Sequence, residues 1–79
     1  MKTISIHEAL IKEGRNYSFD AYIVFILTKE GKGQLIDSYF NLGEARDTAK
    51  MVIKQTGCET HIVQYIRETN SLNFDFKVF

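Results

Sequence analysis

The stretch NLGEARDTAKMVIKQTG, residues 41–57, carries the complete pattern of one amphipathic helix. Asn41 is a preferred N-cap residue, Glu44 stands three positions later as in a capping box, and Gly57 is a typical helix stop. Apolar and small side chains recur between these caps at helical spacing and form one stripe: Leu42, Ala45, Ala49, Val52, Ile53 and Thr56. The small alanines in this stripe predict a helix that lies close on a sheet.

The residues before this helix predict a β-hairpin. Ala21 to Lys29 contains the run Tyr22 to Leu27, which is apolar or aromatic throughout and therefore favours a strand covered on both faces. Two glycines in residues 30–33 supply the turn, and Gln34 to Phe40 form the returning strand. Alternation along that strand predicts two faces, with Leu35, Asp37 and Tyr39 on one and Ile36, Ser38 and Phe40 on the other.

The residues after the helix predict a second hairpin. Glu59 to Glu68 is a strand, Thr69 to Ser71 a turn, and Leu72 to Val78 a final strand. Alternation gives the first of these strands two faces, with Ile62 and Ile66 on one and His61, Val63, Tyr65 and Arg67 on the other. In the final strand it predicts a single inward row: Leu72, Phe74, Phe76 and Val78.

A short helix is predicted near the start of the chain, from Ile6 to Glu13. Ser5 can cap it, Glu8 completes the capping-box spacing, and Gly14 ends it. The alternative is a strand from Met1 to Ile6, because β-branched residues suit one. With the helix, the order is αββαββ, which predicts an α+β fold: a small antiparallel sheet of about four strands with the main helix packed on one face.

Length and composition limit the class of protein. The 79 residues fit one domain, 1–79, and ten basic residues balance ten acidic ones. The chain therefore lacks the basic excess of many nucleic-acid binders. Its only cysteine, Cys58, excludes an intrachain disulfide and predicts a reducing, cytoplasmic location. The first residues do not resemble a signal peptide, and the longest apolar run is too short to span a bilayer, so no membrane partner is expected.

The side chains that could support catalysis are Cys58, His7 and His61. A Cys-His pair can activate a thiolate, but positions 58 and 61 are an odd number apart and so point to opposite faces of a strand. The spacings match no zinc motif, and Gly31 to Gly33 matches no phosphate-binding loop. The sequence predicts a protein that binds rather than catalyses, without a metal or cofactor.

One candidate binding surface lies on the predicted main helix. Arg46, Lys50 and Lys54 recur at every fourth position, and we call this flank the basic ridge. Met51 projects from the face opposite the apolar stripe. The ridge is either a solvated helix surface or a contact for a phosphate backbone or an acidic protein patch.

Two further candidate surfaces belong to the sheet. Lys29 and Lys32 lie at the tip of the first hairpin, where they either contact a partner or keep the turn soluble. Tyr39, Tyr65 and Arg67 are predicted on a sheet face that would suit a protein hot spot or an RNA platform. The alternative is that the first helix covers this face. If it does not, a second copy could form a homodimer through the sheet face or a sheet edge.

Three short features of residues 35–77 resemble a family of small phage proteins. They are the helix start Leu42-Gly43-Glu44-Ala45, the cysteine near the next strand, Cys58, and the strand end Ile66-Arg67-Glu68-Thr69-Asn70. This combination resembles one of the type I-F anti-CRISPR families. The resemblance implies a small antiparallel sheet with one helix and no catalysis. It also implies binding to the CRISPR surveillance complex that blocks target DNA through contacts including basic residues.

The predicted function is a non-enzymatic interaction protein, encoded by a phage or mobile element and active in the host cytoplasm. It would inhibit a host defence complex or another nucleoprotein complex by steric occlusion. The alternative is a module that binds RNA or DNA through the basic ridge or the Tyr/Arg sheet face, with an affinity that falls steeply with salt.

Overall fold

Two helices and four antiparallel strands make up the computed structural model, which describes residues 6–28 and 32–79. The predicted α+β class and αββαββ order are confirmed. The elements are α1 (Ile6–Gly14), β1 (Ala21–Leu27), β2 (Gly33–Tyr39), α2 (Leu42–Thr56), β3 (Glu59–Ile66) and β4 (Ser71–Phe76). The strand order in the sheet is β2–β1–β3–β4, so β1 and β3 are central. The predicted Ser5 cap, the alternative strand from Met1 and most of the first hairpin turn lie outside the described residues.

The two helices cover opposite faces of the sheet. On one face, Val24 and Ile62 of the sheet pack with Ala45 and Ala49 of α2 in one buried cluster. On the other face, Leu10 of α1 packs in a second cluster with four residues of the central strands, Ile23, Phe25, Val63 and Tyr65. Strand β1 contributes to both clusters, which explains why its sequence is apolar on both faces. Each face of the sheet therefore carries one helix of the same chain.

Helix α2 has the predicted caps at both ends. The Asn41 side chain accepts hydrogen bonds from the backbone N–H groups of Gly43, at 2.7 Å, and Glu44, at 3.3 Å. At the other end Gly57 adopts a left-handed conformation with φ 68°, and its N–H donates to the Ile53 carbonyl at 2.8 Å. These bonds satisfy backbone groups that a helix terminus leaves unpaired. They therefore set the residue at which the chain passes from β2 into α2 and the residue at which it leaves α2 towards β3.

The cap at Asn41 supplies a stability prediction. Asn41→Ala should lower the free energy of unfolding by about 1 kcal/mol, because the N–H groups of the first turn lose their acceptor. Asn41→Ser keeps a short acceptor side chain and should recover most of that loss. Urea denaturation of the three proteins measures the difference. Equal losses for both variants would contradict a capping role.

An irregular step in β2 corrects the predicted alternation of that strand. Val24 pairs with Asp37, whereas the next residue, Phe25, pairs with Leu35. One extra residue, Ile36, is therefore accommodated in β2, as in a β-bulge. Leu35 packs towards α1, while Tyr39 packs towards α2. The prediction that these two side chains share a face is wrong, because the bulge shifts the alternation by one residue.

Strand β4 contains a second irregular step. Gln64 pairs with Asn73 and Ile62 pairs with Phe76, so β4 carries one residue more than its partner over this interval. Leu72 consequently packs towards α1, and Phe76 and Val78 pack towards α2. Phe74 lies on the α1 side, with its ring edge-to-face on Phe25, and half of it is exposed. The single inward row predicted for this strand is therefore wrong, for the same reason as in β2.

Candidate functional site

The basic ridge lies beside residues 77–79, which we call the tail. Arg46 donates a hydrogen bond from Nε to the Lys77 carbonyl at 3.0 Å. The Lys50 ammonium lies 5.9 Å from the centre of the Phe79 ring, in a cation–π position. Met51 and Lys54 are exposed, as the sequence predicts. The structure thus brings the basic ridge of α2 into contact with the tail.

The predicted Tyr/Arg sheet face does not exist as one surface. Tyr65 is 2% exposed because α1 covers it. Tyr39 lies on the opposite, α2 side, where its hydroxyl oxygen accepts a hydrogen bond from Thr48 at 2.8 Å. Arg67 is exposed in the turn that follows β3 rather than in the strand. At the hairpin tip, Lys29 lies outside the described residues, and Lys32 is exposed next to β2.

Of the three candidate catalytic residues, Cys58 and His61 line one open groove, and the His7 ring stacks on Phe74. Cys58 is partly buried in the connection before β3. His61 lies 3.3 Å from Glu59, measured from Nε2 to Oε2, and its ring stacks on Phe25. Over residues 6–28 and 32–79, no group of three or more His, Cys, Asp or Glu side chains could hold a metal ion. In the same ranges, no helix is both long and apolar enough to cross a membrane.

A different surface forms at the end of the sheet where α1 finishes and α2 begins. β1 starts here and β2 ends here, since Tyr22 pairs with Tyr39. The residues just outside this pair, Phe19 and Phe40, are therefore brought together, with ring centres 6.0 Å apart and the rings edge-to-face. Tyr17 adds a second edge-to-face contact with Phe40, at 5.6 Å. Edge-to-face packing is the favoured geometry for aromatic rings.

Phe19 and Phe40 are 69% and 60% exposed, although both are large apolar side chains. They line an open groove of about 1150 Å³ together with Arg15 and Arg67. We call these four residues the aromatic end. Asp20 and Glu68 also line the groove and make its rim mixed in charge. Exposed aromatic rings between arginines are the composition typical of a protein-binding hot spot.

A hydrogen-bond network at the aromatic end includes the Arg15 side chain and the Arg67 backbone. Asn70 accepts two bonds at Oδ1, from the Tyr65 hydroxyl and from Arg15 Nε, the latter at 3.2 Å. Asn70 itself adopts a left-handed conformation with φ 50°, which asparagine tolerates well. Asp20 accepts from the backbone N–H of Arg67 at 2.8 Å. The network ties the end of α1 to the turn after β3, so the groove is bordered by fixed backbone.

One residue of the aromatic end, Arg67, is a candidate binding residue of the sequence analysis. It lines this groove together with the buried Tyr65 rather than a sheet face. Arg15, Phe19 and Phe40 are not among those candidates, because the sequence predicts the first two in a connection and the third at the end of a strand. The available signal was the hairpin itself: once Tyr22 is paired with Tyr39, the flanking phenylalanines must lie at the same edge of the sheet.

Comparison of the chain with protein-family models, with curated proteins and with solved structures found no match.

Proposed function

We propose that this chain is a non-enzymatic interaction protein that binds a partner protein through its aromatic end. The observation that carries the proposal is the exposure of Phe19 and Phe40 between Arg15 and Arg67. Exposing two adjacent phenylalanine rings to water is unfavourable for the free protein, and burying them under a partner would recover that free energy. The arginines would supply hydrogen bonds and ion pairs around this apolar centre.

The proposed mode of action is steric occlusion. The groove is open rather than enclosed, which suits contact with the surface of another protein. The resemblance of residues 35–77 to a type I-F anti-CRISPR family extends the proposal to a specific target. The partner would then be a CRISPR surveillance complex whose DNA-binding surface the bound protein blocks.

Affinity purification from bacterial lysate, followed by mass spectrometry, tests the binding proposal. The wild type should recover a specific partner, and Phe19→Ser/Phe40→Ser should recover at least about tenfold less of it, as expected for hot-spot residues. Ile36→Thr is the matched control, since it removes an exposed apolar side chain, 37% accessible, outside the groove. Equal recovery by the double variant would contradict a role for the aromatic end.

A purified type I-F surveillance complex tests the extended proposal. Adding the wild-type protein should reduce the complex's binding of target DNA in a gel-shift assay, and the double phenylalanine variant should not. Unchanged DNA binding at saturating protein would rule out this target but would leave the lysate experiment to decide the binding proposal itself.

A further inference from the structure

A second groove lies at the opposite end of the sheet from the aromatic end. Its apolar lining comes from α2 and from the last residues of the chain: Ile53, Phe76, Val78 and Phe79. Its volume is about 630 Å³, and we call it the tail groove. Strand β3 runs from one groove to the other, since His61 lines the tail groove and Tyr65 the first. Four residues of strand separate the two, or about 13 Å.

Three basic side chains gather at the tail groove: Lys77 lines it, and Arg46 and Lys50 contact the tail. Arg46 and Lys50 join ridge to tail directly, through the Lys77 carbonyl and the Phe79 ring. The acidic side chain in the lining, Glu59, lies 3.3 Å from His61. The chain has no net charge, so the basic character here is local and must be balanced elsewhere on the surface.

The lining favours an acidic protein segment over a nucleic acid. Aliphatic side chains, Ile53 and Val78, form part of the floor and suit the apolar side chains of a peptide. The exposed ring that could stack on a base belongs to Phe79, and the Lys50 ammonium already lies over it. Single-stranded nucleic acid would need stacking platforms that follow one another along a basic channel. Basic groups on one rim of an apolar trough instead match a segment with alternating acidic and apolar residues.

We infer that the tail groove is a second binding site, which takes an acidic segment of a partner protein with interspersed apolar side chains. The apolar side chains of that segment lie between Ile53 and Val78, and its carboxylates face Lys50, Lys54 and Lys77. This site is independent of the aromatic end. With both occupied, one copy of the protein bridges two partner surfaces or two regions of one partner.

An amide chemical-shift titration tests the inference. The probe is a synthetic twelve-residue peptide in which Asp or Glu alternates with Leu or Phe, added to the ¹⁵N-labelled full chain. Shifts should concentrate at residues 50–61 and 76–79 and be absent at Phe19 and Phe40. The affinity should weaken as salt is added, because exposed charges are screened. A peptide with Lys in place of each acidic residue should bind at least about tenfold more weakly, since its charges face the ridge with the wrong sign.

Two lysines offer a matched pair of variants, because Lys54 lies in the last turn of α2 and Lys12 in the last turn of α1. Lys54→Glu should weaken peptide binding at least about fivefold, while Lys12→Glu, the same charge reversal on the other helix, should leave it within about twofold. Circular dichroism checks that each variant is folded.

Several results would overturn the inference. They are the absence of shifts, shifts centred on the aromatic end, equal binding of the lysine peptide, and tighter binding of a twelve-nucleotide oligothymidine at the same residues. The last would instead identify a nucleic-acid surface. The lysate experiment with the phenylalanine variants does not use this peptide, so this inference and the proposed function can fail separately.

Discussion

Leu10→Ala is expected to lower the free energy of unfolding by about 2–5 kcal/mol, as large-to-small substitutions in a protein core do. Leu10 is completely buried and packs in one cluster with Ile23 and Val63 of the central strands. A domain of this length has a total stability of about 4–12 kcal/mol. The loss is therefore a large fraction of the whole, and urea denaturation monitored by circular dichroism measures it.

The control for this prediction is Met51→Ala, another truncation of a long helical side chain. Met51 is 52% exposed, so its replacement should change the free energy of unfolding by less than about 0.5 kcal/mol. Leu10→Ala should also weaken binding at the aromatic end, because α1 carries Arg15 at its terminus. A variant with wild-type stability would show that α1 does not cover the sheet face, and the apolar face of β1 would again require another partner.

The main helix and the element order could be predicted because their signals are local. The caps of α2, Asn41 and Gly57, act on backbone groups within a few residues, and the apolar stripe needs only helical periodicity. The covering of the second face was harder to predict. It depends on nine residues of α1 docking on strands distant in sequence, and a short helix alone does not reveal what it packs against.

The errors in the two edge strands share one cause. Alternation assigns faces correctly only while the strand stays regular, and β2 and β4 each take up one extra residue. Neither bulge is marked by glycine or proline, so the sequence offers no local signal at Ile36 or between Asn73 and Phe76. The two central strands remain regular with respect to each other, because their cross-strand neighbours pack on both faces.

The same limits apply to the candidate binding residues. Helix periodicity alone predicts the basic ridge, but it does not predict the contact between the ridge and the tail. Strand alternation predicts one sheet face for Tyr39, Tyr65 and Arg67. That prediction fails because α1 covers Tyr65 and because β3 ends at Ile66, before Arg67. The residues of the aromatic end lie in three different connections. Predicting that these connections meet requires the register of the strands in addition to their positions in the sequence.

Gly14→Ala is expected to destabilise the protein, although the same change normally stabilises a helix by about 0.5–1 kcal/mol. Gly14 is the last residue of α1 and is buried against the ring of Tyr65. A Cβ atom at this position would overlap Cγ and both Cδ atoms of that ring. The ring cannot turn away easily, because its hydroxyl is hydrogen-bonded to Asn70. The net loss in the free energy of unfolding should be about 1–3 kcal/mol, as for overpacked cores.

A double-mutant cycle with Tyr65→Ala isolates this contact. Alanine lacks the Cγ and Cδ atoms that a Cβ at position 14 would meet, so adding Gly14→Ala to that background should cost at least about 1 kcal/mol less than in the wild type. If Gly14→Ala instead raised the stability of the wild type, helix propensity would outweigh the contact, and α1 would lie farther from β3 than the structure places it. The glycine would then act only as a helix stop, as its position in the sequence first suggests. The predicted loss requires that it also lets the end of α1 approach the sheet closely enough to hold Arg15 beside the groove.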